Sequence, residues 1–206
     1  MTEHDHTHEH DHEHESGHGH EEDSSATEEA RAEAEAAARR RLALAQIRQY
    51  GDPALRLVAH QVEDFDDDLR RLVERMTVLM HEAQGVGLAA TQVGVLRRIF
   101  VFEPGEEGPH AVVNPVVVDR AGETLIEDEG CLSLQGVRVP VERAVGLTIE
   151  GKDENGEDVR YELGEYDARV VQHELDHLDG VLIIDRTDDE HRKQALSTLR
   201  PRIVLR

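Results

Sequence analysis

Val170-Val171-Gln172-His173-Glu174-Leu175-Asp176-His177-Leu178-Asp179-Gly180 is the run of residues from which the rest of the chain can be interpreted. Apolar Val170, Val171, Leu175 and Leu178 recur at helical spacing, and Gly180 fits the end of a helix. In a helix, residues four apart share a face, so the imidazoles of His173 and His177 can reach one metal ion. Glu174 then stands beside a metal-bound water, where a general base is needed. A surface helix whose histidines bind nothing is the other reading of these residues alone, because so short a motif also arises by accident.

Upstream, Glu127-Asp128-Glu129-Gly130-Cys131-Leu132-Ser133-Leu134 holds the single cysteine of the chain. One cysteine excludes an intrachain disulfide and fits a reducing compartment. As a buried structural residue Cys131 would be unremarkable. As a third ligand it completes a Cys-His-His set that leaves one tetrahedral position open to water. Its thiolate biases such a site toward zinc or ferrous iron. A nucleophilic role would instead require a separate free histidine as base.

A further stretch, Gln84-Gly85-Val86-Gly87-Leu88-Ala89-Ala90-Thr91-Gln92-Val93-Gly94, is rich in small residues that let the backbone approach closely. A lone Gly-x-Gly is not a dinucleotide fingerprint. Taken by itself the segment reads as a helix C-cap and a tight turn into a strand.

The periodicity around these stretches sets the fold class. Residues 65–81 read as an amphipathic helix with Leu69, Leu72, Val73, Met76, Leu79 and Met80 toward the core. From residue 97 the period shifts toward two, giving candidate strands at 99–102, 111–114, 116–118, 124–126 and 138–141. Residues 146–150 and 159–162 form a hairpin around Glu154-Asn155-Gly156. A charged helix over 188–199, stopped by Pro201, closes the chain. Strands first and the histidine helix later predict an α+β fold. Mixed or antiparallel sheets would pack around a central metal-binding helix, with a further helix at the C-terminus.

Charge is distributed unevenly. The 206 residues carry a formal net charge of -22, and residues 1–30 contain 11 acids and no Lys or Arg. Such acidity argues against DNA or anionic membrane as a partner. No signal peptide and no membrane-spanning run is visible, so the expected location is cytoplasmic. Eight of the 14 histidines alternate with acids and threonine in the first 20 residues. Residues 1–27 therefore read as a disordered tail, either a loose trap for extra divalent metal or a solvated segment with no role. Residues 28–50 form an Ala/Arg-rich helical extension, with Ser24 or Thr27 as candidate cap and Leu42, Leu44 and Ile47 as a docking face. The catalytic domain is expected over 51–206.

Three segments together resemble one family. Gly85-Val86-Gly87-Leu88-Ala89-Ala90-Thr91-Gln92, Glu129-Gly130-Cys131-Leu132-Ser133 and His173-Glu174-Leu175-Asp176-His177 match the signatures of peptide deformylase in order and separation. The family removes the formyl group from the N-terminal formylmethionine of new bacterial proteins. The resemblance spans residues 48–200, from Arg48-Gln49-Tyr50-Gly51-Asp52-Pro53 onward, and says nothing of the tail. It implies that Cys131, His173 and His177 hold one divalent metal, typically Fe2+, with Zn2+, Ni2+ or Co2+ also accepted. It implies Glu174 as general base and acid, and Gln92 and the Leu132 N–H as oxyanion donors. Gly87 would meet the substrate backbone, Val86, Tyr166 and Val170 would line the methionine pocket, and Arg138 would contact the peptide beyond it.

The implied substrates are N-formylmethionyl nascent peptides. Basic Arg192, Lys193, Arg200, Arg202 and Arg206 raise the ribosome near its exit tunnel as a partner, against the alternative of a solvated helix. Two rivals remain from the residues alone. One is a zinc metallopeptidase with Asp185 as third ligand; the other is a metal-delivery protein built on the tail.

Overall fold

The computed structural model describes residues 21–105 and 108–200, with residues 21–27 described by backbone alone. Pro201, Arg202, Arg206 and the histidine-rich residues 1–20 lie outside the described residues. Two compact units divide the chain, residues 1–37 and 38–206. Helix α1, Glu21–Leu44, starts earlier than its composition suggested, so Ser24 and Thr27 fall inside it and do not cap it. The reason is that acids and alanines from Glu21 onward are helix-compatible, and acids suit a first turn.

Within the second unit, Ala43 and Ile47 are buried among apolar side chains of α2, Asp67–Glu82. Asp66 caps α2 by accepting from the Leu69 N–H at 2.9 Å. The sheet that follows has five strands: β1 Gly87–Ala89, β2 Ile99–Phe102, β3 His110–Arg120, β6 Gly146–Lys152 and β7 Asp158–Gly164. They lie in the order β1-β2-β3-β6-β7, every pairing antiparallel. The two segments expected at 111–114 and 116–118 are one strand, β3, kinked at Asn114. That residue has φ +52, and its amide pairs with the Val62 backbone through two 2.8 Å bonds. A second sheet is the ribbon β4, Thr124–Gly130, with β5, Arg138–Ala144.

Alternation along β2 explains the layers. Ile99 and Val101 face the cluster containing α2, whereas Phe100 and Phe102 face the cluster of α3, Glu165–Leu178. Helix α3 packs on the five-stranded sheet and also touches β5, so the histidine helix lies at the centre of an α+β fold. A third apolar cluster joins β5 through Val139 and Val141 to Ile183 and Ile184 in the 3-10 turn Ile183–Asp185 and to Ala195 in α4, Asp189–Leu199. Among the described residues no helix is long and apolar enough to cross a membrane.

Helices α2 and α3 end in the same way. In α3, Gly180 has φ +72; its N–H donates to the His177 carbonyl at 3.2 Å, and Val181 donates to Asp176 at 2.8 Å. In α2, Gln84 takes the left-handed position, φ +59, and Gly85 donates to the Met80 carbonyl at 2.9 Å. Both are Schellman closures. The closure of α2 delivers the chain to a short strand, β1, which the glycine-rich composition alone had reduced to a turn.

Candidate metal centre

Helix α3 carries His173 and His177 on one face, with ring centroids 4.9 Å apart. Cys131 reaches them from the turn after β4. The donor atoms of Cys131, His173 and His177 all lie within 4.8 Å of one another, the one such trio among the described residues. Cys131 Sγ is 3.2 Å from His177 Nε2, close to the separation of two donors on a tetrahedral ion with bonds of about 2.0–2.3 Å. His173 turns its Nδ1 to Glu129 Oε2 at 3.1 Å. That contact fixes the ring and leaves Nε2 for a ligand role, the carboxylate-histidine arrangement common around metals. A divalent cation fits this donor set.

Glu129 carries no role in the motif reading but proves to be the pivot of a buried charge network. Arg143 clamps it with two bonds of 2.9 and 3.0 Å, and Arg169 adds a third at 2.9 Å. Arg143 also donates to Asp176 Oδ2 at 2.6 Å, and Arg186 donates to the same carboxylate at 2.6 and 3.0 Å. Burial acts to raise the Glu129 pKa, but the bonds and charges of His173 and Arg143 outweigh it and hold it at about 2. Glu129 therefore stays ionised at any working pH. Asp176, the fourth residue of the histidine motif, is thus bound to arginines and not to the donor cluster. Nothing in the local sequence around Arg143 pointed to it.

Glu174 is buried, and its Oε2 has no hydrogen-bond partner among the described residues. Burial pushes its pKa up to about 7, with Glu129 adding to the effect and His173 opposing it. Its carboxylate lies so close to Gly87 that a Cβ there would stand 2.4 Å from Glu174 Oε1. Gly87 is therefore glycine for the sake of the carboxylate in addition to whatever else passes over it.

Gln92 is held through both ends of its amide. Oε1 accepts from the Ala89 N–H at 2.8 Å, and Nε2 donates to Ser133 Oγ at 3.1 Å and points toward Cys131 Sγ at 3.8 Å. Ser133, present in the cysteine motif, orients Gln92.

A cavity of about 730 Å³ opens beside these groups. It is lined by Val86, Gly87, Gln92, Cys131, Leu132, Arg138, Tyr166, Val170, His173 and Glu174. Of the site residues singled out in the sequence, His177 alone lies behind it. Asp185, the rival third ligand, is not in the donor cluster; it pairs with Arg56 and accepts from the Leu182 N–H.

Comparison with known proteins agrees with this geometry. The family model described as "Polypeptide deformylase" matches residues 44–193. The chain belongs to the polypeptide deformylase family. Peptide deformylase of Acidothermus cellulolyticus is 47% identical over 159 residues, 77% of this chain and 87% of that protein. The solved peptide deformylase of Thermus thermophilus superposes with TM-score 0.70 at 45% identity, covering 74% of this chain and 91% of that one. A Synechococcus elongatus peptide deformylase, solved in complex with actinonin, gives TM-score 0.70 at 38% identity over 74% of this chain and 85% of that one. This deformylase is accordingly a metal-dependent hydrolase that removes the N-formyl group from the formylated N-termini of nascent peptides.

Proposed function

We propose that the cation is ferrous iron held by Cys131, His173 and His177, and that Glu174 moves the protons of deformylation. The observation that carries the proposal is convergence: His173, Glu174 and His177 on α3, Cys131 after β4 and Gln92 in the turn after β1 come from three separate segments, and all but His177 line one cavity. When bound, the cation would supply Lewis acidity, lowering the pKa of water toward about 7 and polarising the formyl carbonyl. Glu174 Oε2, buried and unpaired, accepts the proton of the attacking water. The Gln92 amide and the Leu132 N–H receive the developing oxyanion, and each such donor is worth roughly 2.7–4 kcal/mol of barrier. Glu174 then returns its proton to the departing amine, and formate and a free N-terminus leave.

Val86, Tyr166 and Val170 would line the methionine side-chain pocket, with Gly87 against the peptide backbone and Arg138 beyond it. Arg138 donates to the Asp128 carbonyl at 2.9 Å, which supports a placement on the cavity rim. Residues 51–206, with the docked residues 38–50, would suffice for chemistry; residues 1–27 would trap extra divalent metal without taking part in it. A cytoplasmic location and contact of the basic C-terminal residues with the ribosome belong to the same proposal, supported by the single cysteine and by the formylated substrate.

Metal analysis of protein purified without air, paired with formate release from N-formylmethionyl peptides, tests the core of it. One iron per chain and iron-dependent formate release are expected. Cys131→Ala should weaken metal binding by more than about 100-fold, beyond what loss of an outer partner costs. Unchanged metal content in that variant would remove Cys131 from the ligand set.

A further inference from the structure

The cysteine loop and the Gln92 turn are both gripped by one short segment, residues 47–50. The Arg48 N–H donates to the Gln92 carbonyl at 2.7 Å, and the Tyr50 N–H donates to the Ser133 carbonyl at 2.8 Å. Between them Gln49 is half-buried, and its amide is fully committed. Nε2 donates to the Ile47 and Leu132 carbonyls, both at 3.1 Å, and Oε1 accepts from Gln135 Nε2 at 3.0 Å.

The Leu132 carbonyl belongs to the same peptide plane as the Ser133 N–H. The described chain has no cis peptide bond, so these two groups point in opposite directions. At the far end of that plane the Ser133 N–H donates to Cys131 Sγ at 3.4 Å. A continuous path therefore runs from Gln135 through Gln49 and one rigid peptide to the sulfur. Hydrogen bonds at opposite ends of a peptide polarise each other and strengthen together. An N–H held on a thiolate orients the sulfur and draws charge from it, the kind of outer contact that tunes a metal ligand.

We propose that Gln49 is a positioning residue for the metal-binding thiolate, acting through the Leu132–Ser133 peptide. The inference rests on Cys131 being a ligand. It assigns to the entry segment a task that supports the direct contacts of Ser133 and Gln92 with the sulfur. His173 is set by Glu129 through a carboxylate, whereas Cys131 is set by Gln49 through a backbone amide. Both contacts act on a ligand without touching substrate.

The test uses the full chain loaded with Co2+, whose sulfur-to-metal charge-transfer band reports the thiolate directly. Gln49→Met keeps the length of the side chain and removes its donors. The expected result is a shifted band, cobalt affinity lower by about 10-fold, the low end for outer partners of metal ligands, and a lower kcat with KM within about twofold. Gln135→Met, which frees the Gln49 amide from its orienting bond, should move the band in the same direction by less. It keeps the question open to test if Gln49→Met fails to fold. A band, affinity and kcat unmoved by both substitutions would overturn the assignment. Absence of the band from the unsubstituted protein would remove Cys131 from the ligand set, a failure of the premise that is distinct from failure of Gln49.

Discussion

The two sheets are held by different physics, and the site lies between them. Strand β2 of the five-stranded sheet is Ile99-Phe100-Val101-Phe102, every residue buried between apolar clusters on both faces. In β4 of the ribbon only Glu129 is buried, and it is held by Arg143, Arg169 and His173. The large sheet is thus fixed by area removed from water, which is insensitive to direction. The β4 strand is fixed by charge-assisted hydrogen bonds, which are highly directional. Cys131 follows the charged strand, whereas His173 and His177 ride on a helix packed against the apolar sheet. Damage to the sheet should cost stability; damage to the ribbon should cost geometry at the metal.

The sharpest test lies where both regions meet the reaction. Glu174→Ala should retain its metal and fold while losing about 10²–10⁴ in kcat, the usual worth of a general acid-base group. Formate release at the normal rate would defeat the proton-carrier role. Next comes Gly87→Ala, in the first strand of the large sheet. The new Cβ must displace the Glu174 carboxylate, since it would lie 2.4 Å from Oε1. A misplacement near 1 Å costs roughly 100-fold in rate, with metal content preserved.

A paired experiment separates the two kinds of anchoring. Glu129→Gln should lower metal affinity by about 10–100-fold, read by chelator competition. Phe100→Ala should leave metal affinity of the folded protein near normal while lowering stability by about 3–5 kcal/mol, read by denaturant unfolding. If the two variants exchanged their effects, the contrast between the sheets would be lost.

The smallest effect concerns Asp185, outside both sheets. Burial acts to raise its pKa, but the Arg56 and Leu182 hydrogen bonds and the Arg56 and Arg192 charges outweigh it and hold the carboxyl below its usual 3.8. A carboxyl depressed on folding stabilises the protein at pH above its unfolded value and loses that contribution as pH falls through the folded value. Asp185→Asn should therefore cost no more than about 1 kcal/mol at pH 7. The difference from the parent should disappear as the pH is taken below about 3.8.

The local elements and the donor set could be read from the chain because each depends on neighbours in sequence. The i, i+4 histidines, the apolar stripe of α2 and the alternation in β6 and β7 need only the helical and strand periods. Gly180 as a helix terminator follows from its freedom at positive φ. The chain also named Cys131, because it is the sole thiol.

What tertiary structure alone decided is who holds whom. The three-residue strand β1 exists by pairing with β2 and has no period of its own. Glu129 finds Arg143 across the β4–β5 ribbon, 14 residues away, and Arg169 on α3, 40 residues away. Gln49 finds the Leu132 carbonyl across 83 residues. A hydrogen bond depends on where two groups lie in space, and a sequence pattern records only how far apart they lie along the chain.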